Sequence, residues 1–143
     1  MPIGLLLKKE ESVDLFSLIK ILKENIKEKN CGAILTFIGI IRGMTLDGKK
    51  VEKLEYEVFE EIAKRALENI ANTIYMMGGI IDVIICHKYG VFLPGEEVLY
   101  IIVAAERSEK AMDAIRVALD KVKHEIPIWK KEYTEEGSYW VGI

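Results

Sequence analysis

A chain of 143 residues, half of them hydrophobic and 30% charged, has the size of one compact domain with its own core, so a single domain spanning residues 1–143 is expected. A net charge of −3 opposes a general nucleic-acid binder, which needs a large basic excess, and leaves small anions open as ligands. No apolar run approaches the roughly 20 residues that cross a bilayer, and Met1 to Glu10 lacks the order of a secretory signal, which predicts a cytoplasmic protein with no membrane partner.

Pro2 to Lys8 reads as a strand. Ser12 is then placed to cap a helix whose apolar residues Leu15, Ile19, Leu22 and Ile26 recur at helical spacing, until Asn30 and Gly32 stop it. Ala33 to Arg42 is rich in β-branched and aromatic residues, and Val51 to Val58 alternates Leu54, Tyr56 and Val58 with charged neighbours. The two are predicted to be strands joined through an Asp47-Gly48 turn. Between Phe59 and Met77 a second helix should bury Ile62, Ala66, Ile70, Ile74 and Met77, ending at Gly78-Gly79. Ile80 to Cys86 and Val98 to Ala105 are nearly continuous apolar runs, as expected of strands covered on both faces or at a subunit interface, with Pro94-Gly95 turning between them. A third helix, capped by Ser108, should carry Met112, Ile115, Leu119, Val122 and Ile126 inward until Pro127. Two short strands around Trp129 and Trp140 follow, and the whole order predicts an α+β fold with three main helices against a mostly antiparallel sheet.

The residues able to carry chemistry are scattered. Cys31 and Cys86 lie far apart in apolar strand-like segments and read as buried free thiols, and two isolated histidines, His87 and His124, make no metal site. Gly39, Gly43 and Gly48 lack the spacing of a phosphate loop. Arg42 sits at a strand end beside flexible backbone, a natural anion site, although a solvated arginine is the ordinary alternative. Arg107 stands where a strand meets a helix N-terminus, also favourable for anions, with Glu106 beside it able to form an ion pair. Lys123 lies roughly 60° from the centre of the third helix's expected apolar stripe, a boundary position that suits either snorkelling or a partly desolvated amine. Alternation places Lys130 with Ile128 and Glu132 and Lys131 with Trp129 and Tyr133, so one of this lysine pair should face inward; edge-strand lysines that discourage aggregation are the ordinary alternative.

In order along the chain, these residues resemble the large catalytic subunit family of molybdopterin synthase. The resemblance is carried by Phe37-Ile38-Gly39-Ile40-Ile41-Arg42-Gly43, by Leu54-Glu55-Tyr56-Glu57, and by His87-Lys88-Tyr89-Gly90 with Pro94-Gly95-Glu96. It continues from Lys123 through Pro127-Ile128-Trp129-Lys130-Lys131-Glu132 to the ending Gly137-Ser138-Tyr139-Trp140-Val141.

The resemblance implies an α/β hammerhead-type fold and a homodimer of large subunits. Each would hold a small ubiquitin-like sulfur-carrier subunit whose Gly-Gly tail ends in a thiocarboxylate, giving a heterotetramer. It implies sulfur transfer from that tail to cyclic pyranopterin monophosphate to make the dithiolene of molybdopterin, in molybdenum cofactor biosynthesis, with no metal or other cofactor for the step. Lys123 then corresponds to the lysine at the inserted tail and Lys130 to a second catalytic lysine that also binds substrate. Arg42 and Arg107 correspond to arginines near the substrate phosphate, Arg107 serving the neighbouring large subunit's pocket. Glu106 stands where the family usually has histidine, and Lys88 where it commonly has arginine, which keeps the charge but loses the planar fork. The rival reading is a non-catalytic α+β module that binds a small anion or a ubiquitin-like partner, in which the lysines need not converge. A purely structural oligomerisation domain leaves Arg42, Arg107, Lys123 and Lys130 without a purpose.

Overall fold

The computed structural model describes every residue except 12, 142 and 143. Its elements run β1 (Ile3–Lys8), α1 (Leu15–Ile26), β2 (Ala33–Ile40), β3 (Val51–Val58), α2 (Glu60–Tyr75), β4 (Ile80–Phe92), β5 (Glu97–Ala105), α3 (Ser108–Glu125), β6 (Ile128–Thr134) and β7 (Gly137–Val141). The strands form one sheet in the order β2-β5-β4-β3-β6-β7, every pair antiparallel, with β1 added parallel to β4. The expected α+β class with three helices and a mostly antiparallel sheet is what forms. None of the described helices is long and apolar enough to cross a membrane.

The apolar runs of β4 and β5 are explained by helices on both sheet faces. Side chains alternate along a strand, so Val83, Ile85, Ile101, Val103 and Ala105 join α2 and α3 in one core, while Ile84, Cys86, Tyr100, Ile102 and Ala104 pack against Leu18, Leu22 and Ile26 of α1. β1 lies so close to α2 that a Cβ on Gly4 would stand 2.6 Å from backbone atoms of Leu67 and Glu68, which only glycine permits. β4 is long enough to serve two partners: its start pairs with β5, and Gly90 to Phe92 pair with β3. Gly90, at φ +124°, sits where β4 passes from β1 to β3, a conformation that L side chains rarely adopt.

Several expectations are corrected. β2 and β3 are joined through the Asp47-Gly48 turn, with Gly48 at φ +86°, but they are not partners in the sheet: β2 pairs with β5 and β3 with β4 and β6. The strand ends at Ile40, two residues short of Arg42, and α1 ends at Ile26. Ser12 lies outside the described residues, and Asp14 occupies the N-cap of α1 without a side-chain cap bond. Ser108 is the first residue of α3, whose cap position is held by Arg107. Ile62 and Met112, expected inside, are 58% and 54% exposed. The buried faces are instead Ala63, Leu67, Ile70, Ala71 and Ile74 on α2, and Ala111, Ala114, Ala118 and Val122 on α3. On α3 that face is nearly all alanine, and a short side chain lets the helix backbone approach its neighbours closely. Cys86 is buried, and burial pushes its thiol up to about 11; Cys31 lies in the loop before β2, only half-buried.

Candidate active site

A cavity of about 360 Å³ opens between the end of β2, the C-terminal turns of α3 and the strands β3 to β6. Phe37, Leu99, Leu119, Val122, Ile126 and Ile128 make most of its wall apolar; Tyr56, His87, Lys123, His124 and Lys130 supply its polar groups. Two of the sequence-predicted residues, Lys123 and Lys130, therefore meet in one place although they belong to a helix and a strand separated by a sharp exit at Pro127.

Each lysine reaches the cavity by a different route. β6 pairs with β3 so that Lys130 stands directly opposite Tyr56, on the inward face shared with Ile128, as alternation predicts; Lys131 turns outward over the rings of Tyr133 and Trp140. Lys123 is exposed and points roughly 135° from the buried stripe of Ala111, Ala114, Ala118 and Val122, more than twice the angle expected, because that stripe runs through Ala111 rather than Met112. The partly desolvated amine of the site is that of Lys130. Burial holds the Lys130 pKa below the ordinary lysine value, Glu132 pulls it back up, and the charges of Arg42 and Lys123 push it down again.

Arg42 follows a segment that is fastened to the β4–β5 turn. The Ile41 N–H donates to the Glu96 carbonyl at 3.0 Å, and the Ile41 carbonyl accepts from the Gly95 N–H at 2.9 Å. The arginine itself is exposed, and its charge acts on both Lys130 and Tyr56. Arg107 is not brought to this cavity. It caps the opposite end of α3, about 24 Å from Lys123 at 1.5 Å per residue, with Nη1 3.4 Å from Glu109 Oε1. Its ion-pair partner is thus Glu109; Glu106 is exposed at the end of β5.

Two cavity groups, Tyr56 and His87, and one carboxylate that acts on the site, Glu132, carried no assigned role in the sequence. Tyr56 packs edge-on against His87 at 5.4 Å and Phe92 at 6.0 Å between ring centroids. Burial pushes its hydroxyl up to about 12, with Glu132 adding to the shift and Arg42 opposing it. His87, only 6% exposed, has Nδ1 2.7 Å from the Lys88 carbonyl oxygen, and burial brings its pKa down to about 4 against a weaker upward pull from that bond. Glu132 is the carboxylate whose charge reaches both Lys130 and Tyr56. Alternation already places Glu132 on the face of Ile128 and Lys130; nothing local marks His87, whose burial depends on strands distant in the chain. His124 bonds back to the Asp120 carbonyl at 2.8 Å. Among the described residues no group of three or more His, Cys, Asp or Glu stands ready to hold a metal ion.

The site thus combines an apolar wall, two amines and a nearby guanidinium, an arrangement that can hold an organic anion and exchange protons beside it. The family model described as MoaE protein matches residues 9–125. The molybdopterin synthase catalytic subunit of Pyrococcus abyssi is 34% identical over 136 residues, covering 95% of this chain and 88% of the relative. That of Bacillus subtilis is 35% identical over 119 residues, covering 83% and 75% respectively. The crystal structure of molybdopterin synthase from Staphylococcus aureus superposes with a TM-score of 0.85 at 28% identity, covering 100% of this chain and 99% of that one.

Proposed function

The chain belongs to the MoaE protein family, and from that membership we propose how its cavity works. The activity is that of a molybdopterin synthase catalytic subunit, a sulfurtransferase of molybdenum cofactor biosynthesis. In this reading residues 1–143 act as one large-subunit domain. The sulfur donor is the C-terminal thiocarboxylate of a small ubiquitin-like subunit, whose Gly-Gly tail lies beside Lys123. The acceptor is cyclic pyranopterin monophosphate.

The thiocarboxylate sulfur bonds to a side-chain carbon of the pterin as a carbon–oxygen bond of that carbon breaks, the oxygen staying on the phosphate or leaving as water, and the tail is then attached through an acyl–sulfur link. Water then cleaves that link, returning the tail as a carboxylate and leaving sulfur on the pterin, and a second tail repeats the cycle to complete the dithiolene. Both steps need proton exchange beside developing negative charge. Lys130, whose amine gives up its proton more readily than an ordinary lysine, suits that role, and Lys123 offsets the charge at the tail carbonyl. Arg42 supplies a guanidinium fork for the phosphate together with Lys130. The convergence of Lys123 and Lys130 on one cavity is the observation that carries this reading.

Arg107, at the far end of α3, serves the cavity of a neighbouring large subunit in a homodimer, and the two small subunits make the assembly a heterotetramer. Exposed Phe59, Trp129 and Trp140, with the first two rings 5.0 Å apart, provide apolar surface suited to such an interface. The test is conversion of cyclic pyranopterin monophosphate to molybdopterin by the purified chain mixed with thiocarboxylated small subunit. Lys123→Ala is expected to abolish product while leaving folding and small-subunit binding nearly intact, since an exposed lysine removes little apolar contact. Full activity in that variant refutes the assignment. No product from the native chain, despite small-subunit binding, selects the non-catalytic module instead.

A further inference from the structure

His87 is a histidine with only one available role. Its Nδ1 lies 2.7 Å from the Lys88 carbonyl oxygen, and a carbonyl only accepts, so Nδ1 carries the proton. In the neutral ring, Nε2 is then a lone-pair acceptor. Burial keeps the ring neutral against the weaker upward pull of that bond.

Among the described residues neither His87 Nε2 nor the Tyr56 hydroxyl has a hydrogen-bond partner, yet no buried polar side-chain atom is left unsatisfied. Both atoms therefore open on the cavity that their side chains line. The two rings are in edge contact at 5.4 Å, so neighbouring side chains bring an acceptor and a hydroxyl that donates or accepts to one cavity, with Phe92 packed against Tyr56 and apolar Phe37 and Leu99 in the same lining. Lys123, Lys130 and Arg42 supply positive charge to the same site, whereas this pair is uncharged.

We propose that His87 Nε2 and the Tyr56 hydroxyl form a neutral recognition edge in the cavity that takes N–H groups of the substrate's pterin ring, while the cationic groups take its phosphate. The inference rests on the substrate reading above and adds to it the residues that read the heterocycle. A fused heterocycle presents adjacent N–H donors and acceptors on one edge and a flat apolar face, which matches a neighbouring acceptor and hydroxyl beside apolar walls. A phosphate alone offers no reason for a lone-pair acceptor among cations. The edge selects substrates: a ring lacking the N–H leaves Nε2 desolvated and unpaired, which lowers affinity for that analogue.

Calorimetric titration of cyclic pyranopterin monophosphate, and separately of the small subunit, into the wild type, His87→Phe, His87→Gln and Tyr56→Phe tests this. His87→Phe is expected to weaken the pterin at least tenfold and leave the small subunit within about twofold. His87→Gln, whose amide oxygen accepts in place of Nε2, should recover part of the loss, and Tyr56→Phe, which keeps the ring and drops only the hydroxyl, should weaken the pterin several-fold. Nitrogen-15 spectra of the ligand-free protein should show the Nδ1–H tautomer. Equal pterin affinity in the wild type and His87→Phe, a loss confined to small-subunit binding, or an Nε2–H tautomer overturns the recognition edge alone. A wild type that binds the small subunit but no pterin refutes the substrate reading, and this inference with it.

Discussion

The buried neutral state of His87 makes a quantitative claim about acid stability. An ordinary histidine titrates at 6.5, and burial in this fold brings His87 to about 4. Between those values the unfolded chain binds a proton that the native chain does not, so native stability falls as pH drops from about 6.5 to about 4 and is unaffected by this group above 6.5. At about 1.4 kcal/mol for each tenfold change in proton affinity, the full loss is on the order of 3 kcal/mol, a large share of the roughly 5–15 kcal/mol that holds a typical domain together. Carboxylates also titrate in this range, and Glu96 is held below its usual value by the Leu93 N–H and by Lys9, so the wild-type profile alone does not isolate the histidine. His87→Gln does, because glutamine has no proton to gain. Urea denaturation of both proteins at pH values of about 7, 5.5 and 4.5 should give profiles that converge as pH falls, the wild type losing stability faster by about 2 kcal/mol over that interval. Parallel profiles would show that His87 titrates alike in the folded and unfolded chains, and the argument for its neutral, buried state would fail.

Arg42→Ala removes one of the charges that lower the Lys130 pKa, so the lysine should titrate at higher pH than in the wild type, read from carbon-13 labelled lysine ε-methylenes; an unchanged or lower value contradicts the shared electrostatic site. The same variant should weaken substrate binding more than small-subunit binding, and equal losses in the two titrations count against a phosphate role. Lys130→Met should flatten the stability profile just below pH 10.5, because a lysine with a depressed native pKa makes stability rise as pH climbs from that value towards the unfolded one. Gly4→Ala should destabilise the protein by about 1–3 kcal/mol through overpacking against α2, lowering Tm by several degrees while leaving activity well below Tm intact. Gly78→Ala, where nothing lies within 4 Å of the added methyl, is its neutral control; similar Tm values for the two variants would show that β1 and α2 are not in that close contact.

Much of the fold was legible because its signals are local. The unbroken apolar residues of β4 and β5 announced strands covered twice, since Val83 and Ile85 face one helix layer and Ile84 and Cys86 the other. Alternation alone showed that one of Lys130 and Lys131 turns inward; the pairing of β6 with β3 makes it Lys130. Reading helix faces by the largest apolar residues failed at Ile62 and Met112, because the buried faces run through Ala63 and Ala111 beside them, where a short side chain allows close approach.

By itself, then, the sequence determined the order and kind of the elements and, through the resemblance carried by Arg42, Lys123 and Lys130, the family. These depend on backbone propensity, periodicity and residue identity, which are written within short stretches of chain. Tertiary structure decided that β2 and β3, neighbours in sequence, pair elsewhere. It decided that Lys123 and Lys130, on a helix and a strand, line one cavity, and that His87 loses its proton to burial beside Tyr56, 31 residues earlier in the chain. Pairing partners, the convergence of side chains from separate elements and the loss of water around an imidazole depend on what the rest of the chain brings alongside, and no local pattern records them.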